Sequence, residues 1–324
     1  MEQSIAAPAA PASLALEAVC KQFGGTRVLD GVDLALHAGQ VVALIGENGA
    51  GKSTAVKIMT GIHRPDSGRV RVAGAAVELA STQDAWRHGI AAVHQETAMF
   101  DELSVTENIF MGHLIGRRGW LDWRAMRRRA AELLAELESD LSPDTRLGAL
   151  GIAHKHVVEI ARALSHDARV VILDEPTAAL SIREVDELFR AVRRLRAAGV
   201  ALLFISHKLD EVFAIADRYT VLRDGCRVGD GAIGEVDDRE LVRLMVGRPM
   251  AEVFPRAEVA IGPAVLEVRG LGNDTEFDAI SFALGEREVL GFYGLVGAGR
   301  TELMEAVVGL TPIARGTVTI AGAP

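Results

Sequence analysis

The chain has 324 residues, 49% of them hydrophobic but only 5% aromatic, with a formal charge of −9. The length and apolar share suit about two domains whose cores are built mainly from Val, Leu, Ile and Ala. The acidic balance argues against a bulk nucleic-acid binder, and two cysteines without a CxxC argue against a disulfide framework or zinc site and fit a reducing compartment.

Residues 1–13, with Glu2, Pro8 and Pro11, have neither a basic start nor a long apolar stretch. They read as a disordered tail rather than a signal peptide. No apolar run in the chain approaches the roughly 18 residues of a membrane span. Any membrane role must therefore pass through a partner.

From residue 14 to residue 246, short apolar runs alternate with helical patterns. Val41 to Ile45 ends in glycine, Val170 to Leu173 ends in Asp174-Glu175, and Ala201 to Ile205 ends in Ser206-His207. Runs this short and apolar on both faces predict buried parallel strands. Trp123 to Glu138 predicts a helix with Met126, Leu133, Leu134 and Leu137 inward. Its Arg127-Arg128-Arg129 run is followed by Glu132, Glu136 and Glu138 and reads as a solvated face. A second helix carries Ile182, Val185, Leu188, Phe189, Val192 and Leu195 on one face, with Gly199 as its terminator. The expected fold is a doubly wound α/β domain with polar chemistry at the strand ends.

Residues 247–263 are rich in Pro, Gly and charge and predict a linker. Residues 264–324 repeat the start of the chain. Gly46, Gly51, Gly68 and Gly74 recur 248 positions later as Gly294, Gly299, Gly316 and Gly322. That register predicts a duplication of which only about a quarter of the second copy is present.

Gly46-Glu47-Asn48-Gly49-Ala50-Gly51-Lys52-Ser53-Thr54 follows a strand and precedes a helix, matching G-x-x-x-x-G-K-[ST]. Its glycines let backbone N–H groups turn toward phosphates, and the helix N-terminus adds its dipole. Lys52 would neutralise the β and γ phosphates and Ser53 would ligate Mg²⁺. Adjacent carboxylates such as Asp174 and Glu175 repel unless a cation or proton separates them. Asp174 fits the Mg²⁺ shell, and Glu175 fits a base or orienter for an attacking water. Gln95 and His207 are weak signals singly, because a lone histidine at a strand end is more often structural.

These residues, with VHQE, VVILDEPTAALS, FISHKLDEVFAIADRYTVLRDG, VTENIFMG and LVRLMVGRP, give the chain its resemblance. From Leu14 onward it is similar to the ATP-binding subunits of ABC transporters. GLVGAGRTEL in the repeat is closest to the fused two-domain subunits of bacterial sugar importers, of the ribose, galactose and xylose type. The resemblance implies a P-loop NTPase of ABC type, with a mixed sheet and a helical insertion over about residues 97–165. It implies ATP and Mg²⁺ as ligands, with Phe23 stacking on adenine and Gly46, Asn48, Gly49, Gly51, Lys52, Ser53 and Thr54 around the phosphates. Gln95 would link Mg²⁺ and water to the permease contact, His207 would touch the γ-phosphate, and Ala178 to Ser181 would line a dimer seam.

The implied partners are integral-membrane permease subunits, a periplasmic or extracellular sugar-binding protein and a second nucleotide-binding domain, with no nucleic acid. The implied location is the cytoplasmic face of the bacterial inner membrane. The alternatives are a truncated subunit that binds ATP but hydrolyses it poorly, and a soluble ABC ATPase outside transport.

Three departures stand out. The family's Leu-Ser-Gly-Gly-Gln signature is Leu150-Gly151-Ile152-Ala153-His154 here, without the serine hydroxyl. The repeat has Arg300 in the Lys slot, where a planar fork suits a point-charge site poorly. The repeat position matching Phe23 falls near Asn273. In head-to-tail pairs, the resemblance puts Gly151 and Arg300 in one composite site, degenerate on both faces.

Overall fold

The computed structural model describes residues 11–93, 99–117, 120–178, 180–247, 259–273, 275–294 and 297–323. The tail expected over residues 1–13 lies mostly outside them. The chain divides into two compact units, Met1–Val253 and Phe254–Pro324.

The first unit is built on a six-stranded sheet. Its strands are β3 (Val41–Ile45), β6 (Ile90–Val93), β9 (Val170–Asp174), β10 (Ala201–Ile205), β11 (Arg218–Arg223) and β12 (Cys226–Ala232), in the order β12-β11-β3-β10-β9-β6. All neighbours are parallel except β11 and β12. The continuous apolar runs have a direct cause, since both faces of this sheet are covered. Val41, Ala43 and Ile45 face one core with Leu202, Phe204, Val171 and Leu173. Val42 and Leu44 face the other with Ala201, Leu203, Ile205, Val170 and Ile172.

On the second face lies an antiparallel sheet of β1 (Leu14–Phe23), β2 (Thr26–Leu36), β4 (Ser67–Val72) and β5 (Ala75–Val77), in the order β2-β1-β4-β5. Helix α1 (Lys52–Met59) fills this layer with Ala55, Val56, Ile58 and Met59. A short helix, α2 (Thr82–Arg87), precedes β6. The first face carries α3 (Val105–Phe110), a two-stranded ribbon β7 (Gly116–Arg117) and β8 (Trp120–Leu121), then α4 (Trp123–Glu136), α5 (Ile152–Ser165) and α6 (Ile182–Ala197). The unit is completed by α7 (Leu209–Ile215) between β10 and β11 and by α8 (Asp238–Val246). No helix among the described residues is long and apolar enough to cross a membrane.

In α4, Met126, Leu133 and Leu134 are buried as the periodicity requires, and so is Leu137 at its C-cap. Arg129 lies on the outer face and pairs with Glu132 and Glu136 at 3.2 Å each. In α6 one expected core residue fails. Ile182 is 84% exposed, whereas Leu188, Phe189, Val192 and Leu195 are buried. Ile182 is the first helical residue, directly after the N-cap Ser181 and within the Ser181–Glu184 capping box, so its turn lies beyond the core that the later turns cover.

The second unit is smaller: β13 (Ala264–Gly272), β14 (Ile280–Gly285) and β15 (Arg315–Ile320) form an antiparallel sheet β14-β13-β15, with α9 (Arg300–Val307) before β15. The sheet has the same hairpin-plus-return arrangement as β2-β1-β4. Helix α9 starts and ends 248 positions after α1, and both follow a left-handed glycine, Gly51 and Gly299. Its core is small, with Val268, Leu271, Leu303 and Ala306 buried.

A half-buried polar cluster joins α5 to α2. Arg162 lies over the Trp86 ring at 5.1 Å, and Trp86 packs on His166 at 4.2 Å. Burial pushes the Glu159 carboxyl up to about 8 against the opposing charge of Arg162, and pushes the His166 imidazole down to about 4. A carboxyl raised on folding contributes stability that is full below its unfolded pKa and fades as pH rises through the folded value. Each unit between the two is worth about 1.4 kcal/mol. Glu159→Gln removes that proton linkage while keeping the neutral shape. Its stability relative to the parent should be near equal at pH 4.5 and higher by an order of a few kcal/mol at pH 8. Urea unfolding of both proteins across that range checks it, and a pH-independent difference would contradict it.

Candidate functional site

The parallel strands all end on one edge of the sheet, so topology alone brings the separate motifs together. Strand β3 delivers the glycine loop, β9 delivers Asp174-Glu175, and β10, between them, delivers Ser206-His207. Strand β6 reaches the same edge at Val93, but Gln95 lies outside the described residues.

Close approach fixes the loop's glycines. A Cβ on Gly46 would sit 2.3 Å from the Leu222 carbonyl oxygen. Gly51 has φ 103°, and its Cβ would meet Leu29 Cδ2 at 2.6 Å and the Val28 carbonyl oxygen at 2.9 Å. Gly51 is the N-cap of α1, and neither a side-chain cap nor an acidic residue occupies that helix end. The leading N–H groups are therefore free of competing side chains, and the dipole favours an anion there.

The Lys52 side chain folds back into this loop. Its Nζ donates to the Gly46 carbonyl at 2.6 Å and the Glu47 carbonyl at 2.9 Å. Burial holds the ammonium below the usual lysine range, and the charges of Glu175 and Asp174 oppose that fall. A cavity of 260 Å³ opens beside it, lined by Val28, Asn48, Gly49, Gly51, Lys52, Ser53, Thr54, Asp174 and Glu175. The loop residues expected around phosphate, Gly46 apart, and both carboxylates thus share one wall system. Hydroxyl and carboxylate oxygens are hard donors, so Ser53 and Asp174 fit a Mg²⁺ ion.

Glu175 stands at φ 47°, a conformation rarely taken by a residue with a side chain. Its N–H donates to the Ile205 carbonyl at 3.0 Å. Its Oε1 lies 3.3 Å from Nδ1 of the half-exposed His207. The β9–β10 pairing, with Ile205 beside Asp174, is what brings that imidazole to the carboxylate.

Phe23 closes the β1–β2 hairpin opposite Thr26 and is 42% exposed. His63 packs edge-on against its ring at 5.1 Å, and the Lys21 ammonium stands 5.3 Å from the ring centroid. An exposed ring held this way can offer a face to a flat ligand. Gly151 is the N-cap of α5 in extended conformation, with no side chain to cap the helix. In the second unit, Asn273 uses its side-chain oxygen to accept from the N–H groups of Thr275, Glu276 and Phe277, so a turn replaces the aromatic.

Sequence reasoning missed Val28, His63 and Glu211. Val28 and His63 carry no local pattern. Glu211 reads as an ordinary acidic residue in the first turn of a helix, yet it is 8% exposed.

The family described as ABC transporter matches residues 29–178. The nucleotide-free ATP-binding cassette from an ABC transporter aligns at TM-score 0.64 and 26% identity, over 76% of this chain and all of that one. The ADP conformation of MJ1267, another ATP-binding cassette of an ABC transporter, aligns at TM-score 0.65 and 28% identity, over 73% of this chain and 99% of that one. With the glycine loop and both carboxylates in one cavity, the first unit is similar in fold and in sequence to the ATP-binding cassettes of ABC transporters.

Its sequence relatives narrow the likeness. It is 53% identical over 311 residues to a ribose import ATP-binding protein of Rhizobium meliloti (strain 1021), covering 96% of this chain and 62% of that protein. It is 56% identical to a ribose import ATP-binding protein of Jannaschia sp. (strain CCS1), over 95% of this chain and 60% of that protein. It is 45% identical to a putative ribose/galactose/methyl galactoside import ATP-binding protein of Agrobacterium fabrum (strain C58 / ATCC 33970), over 98% and 62%. The chain thus spans about three fifths of the length of these relatives.

Gly51→Ala forces a Cβ against backbone at a left-handed φ. It should destabilise the first unit by at least about 2 kcal/mol. Urea unfolding measures it, and a change below about 0.5 kcal/mol would contradict the geometry.

Proposed function

We propose that the chain binds Mg-ATP at the Lys52 cavity and hydrolyses it to energise import of a small sugar of the ribose class. The observation that carries this is the single cavity in which Lys52 faces Asp174 and Glu175. The names of its sequence relatives support the sugar assignment.

In this reading the Lys52 ammonium leaves the loop carbonyls for the β and γ phosphates. Backbone N–H groups from Gly46 to Thr54, with the Asn48 side chain, complete the cradle. Ser53 and Asp174 would hold Mg²⁺, which supplies positive charge against the phosphate oxygens. Gln95 would add a contact to the ion and the water. Glu175 orients the attacking water and accepts its proton. His207, held to Glu175, contacts the γ-phosphate, and Phe23 stacks on adenine. The resulting conformational change would pass to integral-membrane permease subunits served by an external sugar-binding protein. Paired nucleotide-binding domains would act at the cytoplasmic face of the membrane.

A slower variant of this function has its own support. Gly151 offers no hydroxyl where the family uses serine, and a lost hydrogen bond to a charged group is worth about 1.5–3 kcal/mol. Turnover by the chain alone is then about one to two decades below that of an intact signature, if the bond matters only in the transition state.

Two substitutions separate binding from chemistry. Lys52→Ala should weaken Mg-ATP affinity markedly in equilibrium titration, and unchanged affinity would sink the site. Glu175→Gln should keep ATP bound while turnover falls roughly 10²–10⁴-fold. Turnover near the parent's would reject Glu175 as the base.

A further inference from the structure

The strands β9 and β10 hold register only as far as Asp174 and Ile205. Beyond that edge the two chains leave the sheet, and the reacting side chains proposed above, Glu175 and His207, sit on those departing segments. The Glu175 N–H bond to Ile205 is a main-chain tie between them. The rest of the tie runs through a third residue.

Glu211, in the first turn of α7, is buried under both segments. Its Oε2 accepts from Thr177 Oγ1 at 2.6 Å and from Ser206 Oγ at 2.9 Å. Thr177 is two residues after Glu175, and Ser206 is one before His207. Both are 2% exposed, so water offers no ready substitute partner. The other carboxylate oxygen pairs with Lys208 Nζ at 3.0 Å, and that ammonium also donates to the Thr177 carbonyl at 3.1 Å. The Ser206 hydroxyl oxygen in turn accepts from the Lys208 N–H at 3.1 Å. One carboxylate therefore holds the two loops through a closed set of bonds, each to a charged group or a buried hydroxyl.

We infer that Glu211 is a positioning residue for hydrolysis: it fixes the Glu175 carboxylate and the His207 imidazole relative to one another by binding Thr177 and Ser206 at once. The inference rests on the proposed role of Glu175 in hydrolysis. Two facts give it physical force. Glu175 is held at a positive φ, which persists only where the surroundings over-determine it. A group that must orient water tolerates little displacement, because misplacement of about 1 Å costs roughly a hundredfold. Releasing Thr177 or Ser206 frees the flanks of the catalytic pair without touching the phosphate loop.

The experiment is single-turnover hydrolysis of Mg-ATP by an excess of the 324-residue chain, alongside equilibrium nucleotide affinity and thermal unfolding. Thr177→Val keeps shape and removes one donor. It should lower the hydrolysis rate about tenfold or more, with affinity changed less than about threefold. Ser206→Ala should do the same, and the double variant should lose less than the product of the two, since both act through one carboxylate. Glu211→Ala should lose more than either. Glu211→Gln keeps an oxygen for both hydroxyls and should recover part of that loss.

A residue that only braces the fold would lower Tm and leave the rate of the folded protein unchanged. That pattern in Thr177→Val and Glu211→Gln overturns the inference even where Glu211→Ala does not fold. Glu175→Gln, run beside them, separates the two failures. If it lowers the rate and the Thr177 and Glu211 variants do not, positioning alone is wrong. If it leaves the rate intact, the reading beneath it is wrong as well.

Discussion

A lysine ammonium is costly to take out of water, and the buried charge of Lys52 is the constraint around which this site is organised. Two loop carbonyls, Gly46 and Glu47, meet the ammonium directly, and the nearby Asp174 and Glu175 carboxylates favour its charge. The carbonyls can converge only if the loop passes close to the Leu222 and Val28 backbone, where a Cβ will not fit. The carboxylates can be near only if β9 lies in the same sheet as β3, one strand away across β10. The glycine spacing, the strand order and the position of the acidic pair are thus answers to one electrostatic demand.

The same demand leaves the site poised. The ammonium is shared with backbone dipoles rather than locked to one carboxylate. A phosphate at the uncapped end of α1 offers it a stronger partner. Around this centre the protein uses stiff parts. The central sheet is packed on both faces, and its parallel strands present their ends at a common edge. Adjustability is left to the segments that leave that edge, and there buried polar bonds take over from sheet register.

Much of this was legible in the sequence because it is local or periodic. The Gly46–Thr54 loop is a contiguous pattern, and the strands at Val41, Val170 and Ala201 announce burial by being apolar on both faces. What escaped depends on contacts between distant segments. Glu211 beside Lys208 looks like a solvated charge pair, and only the path of α7 beneath Thr177 buries it. Ile182 continues an apolar stripe that the fold does not cover. His63 meets Phe23 because the chain after α1 returns to the β1–β2 hairpin, which no short window reveals. The shared glycine register was legible too, since Gly51 and Gly299 take the same left-handed turn ahead of a helix.

In the proposed function, Lys52 exchanges its loop carbonyls for phosphate oxygens when nucleotide binds. A crystal structure of the chain with Mg²⁺ and a non-hydrolysable ATP analogue measures this directly. Lys52 Nζ is expected within hydrogen-bond distance of β and γ phosphate oxygens, with its bonds to the Gly46 and Glu47 carbonyls lengthened or broken. Nucleotide bound elsewhere, or bound here with Lys52 still seated on those carbonyls, would contradict it.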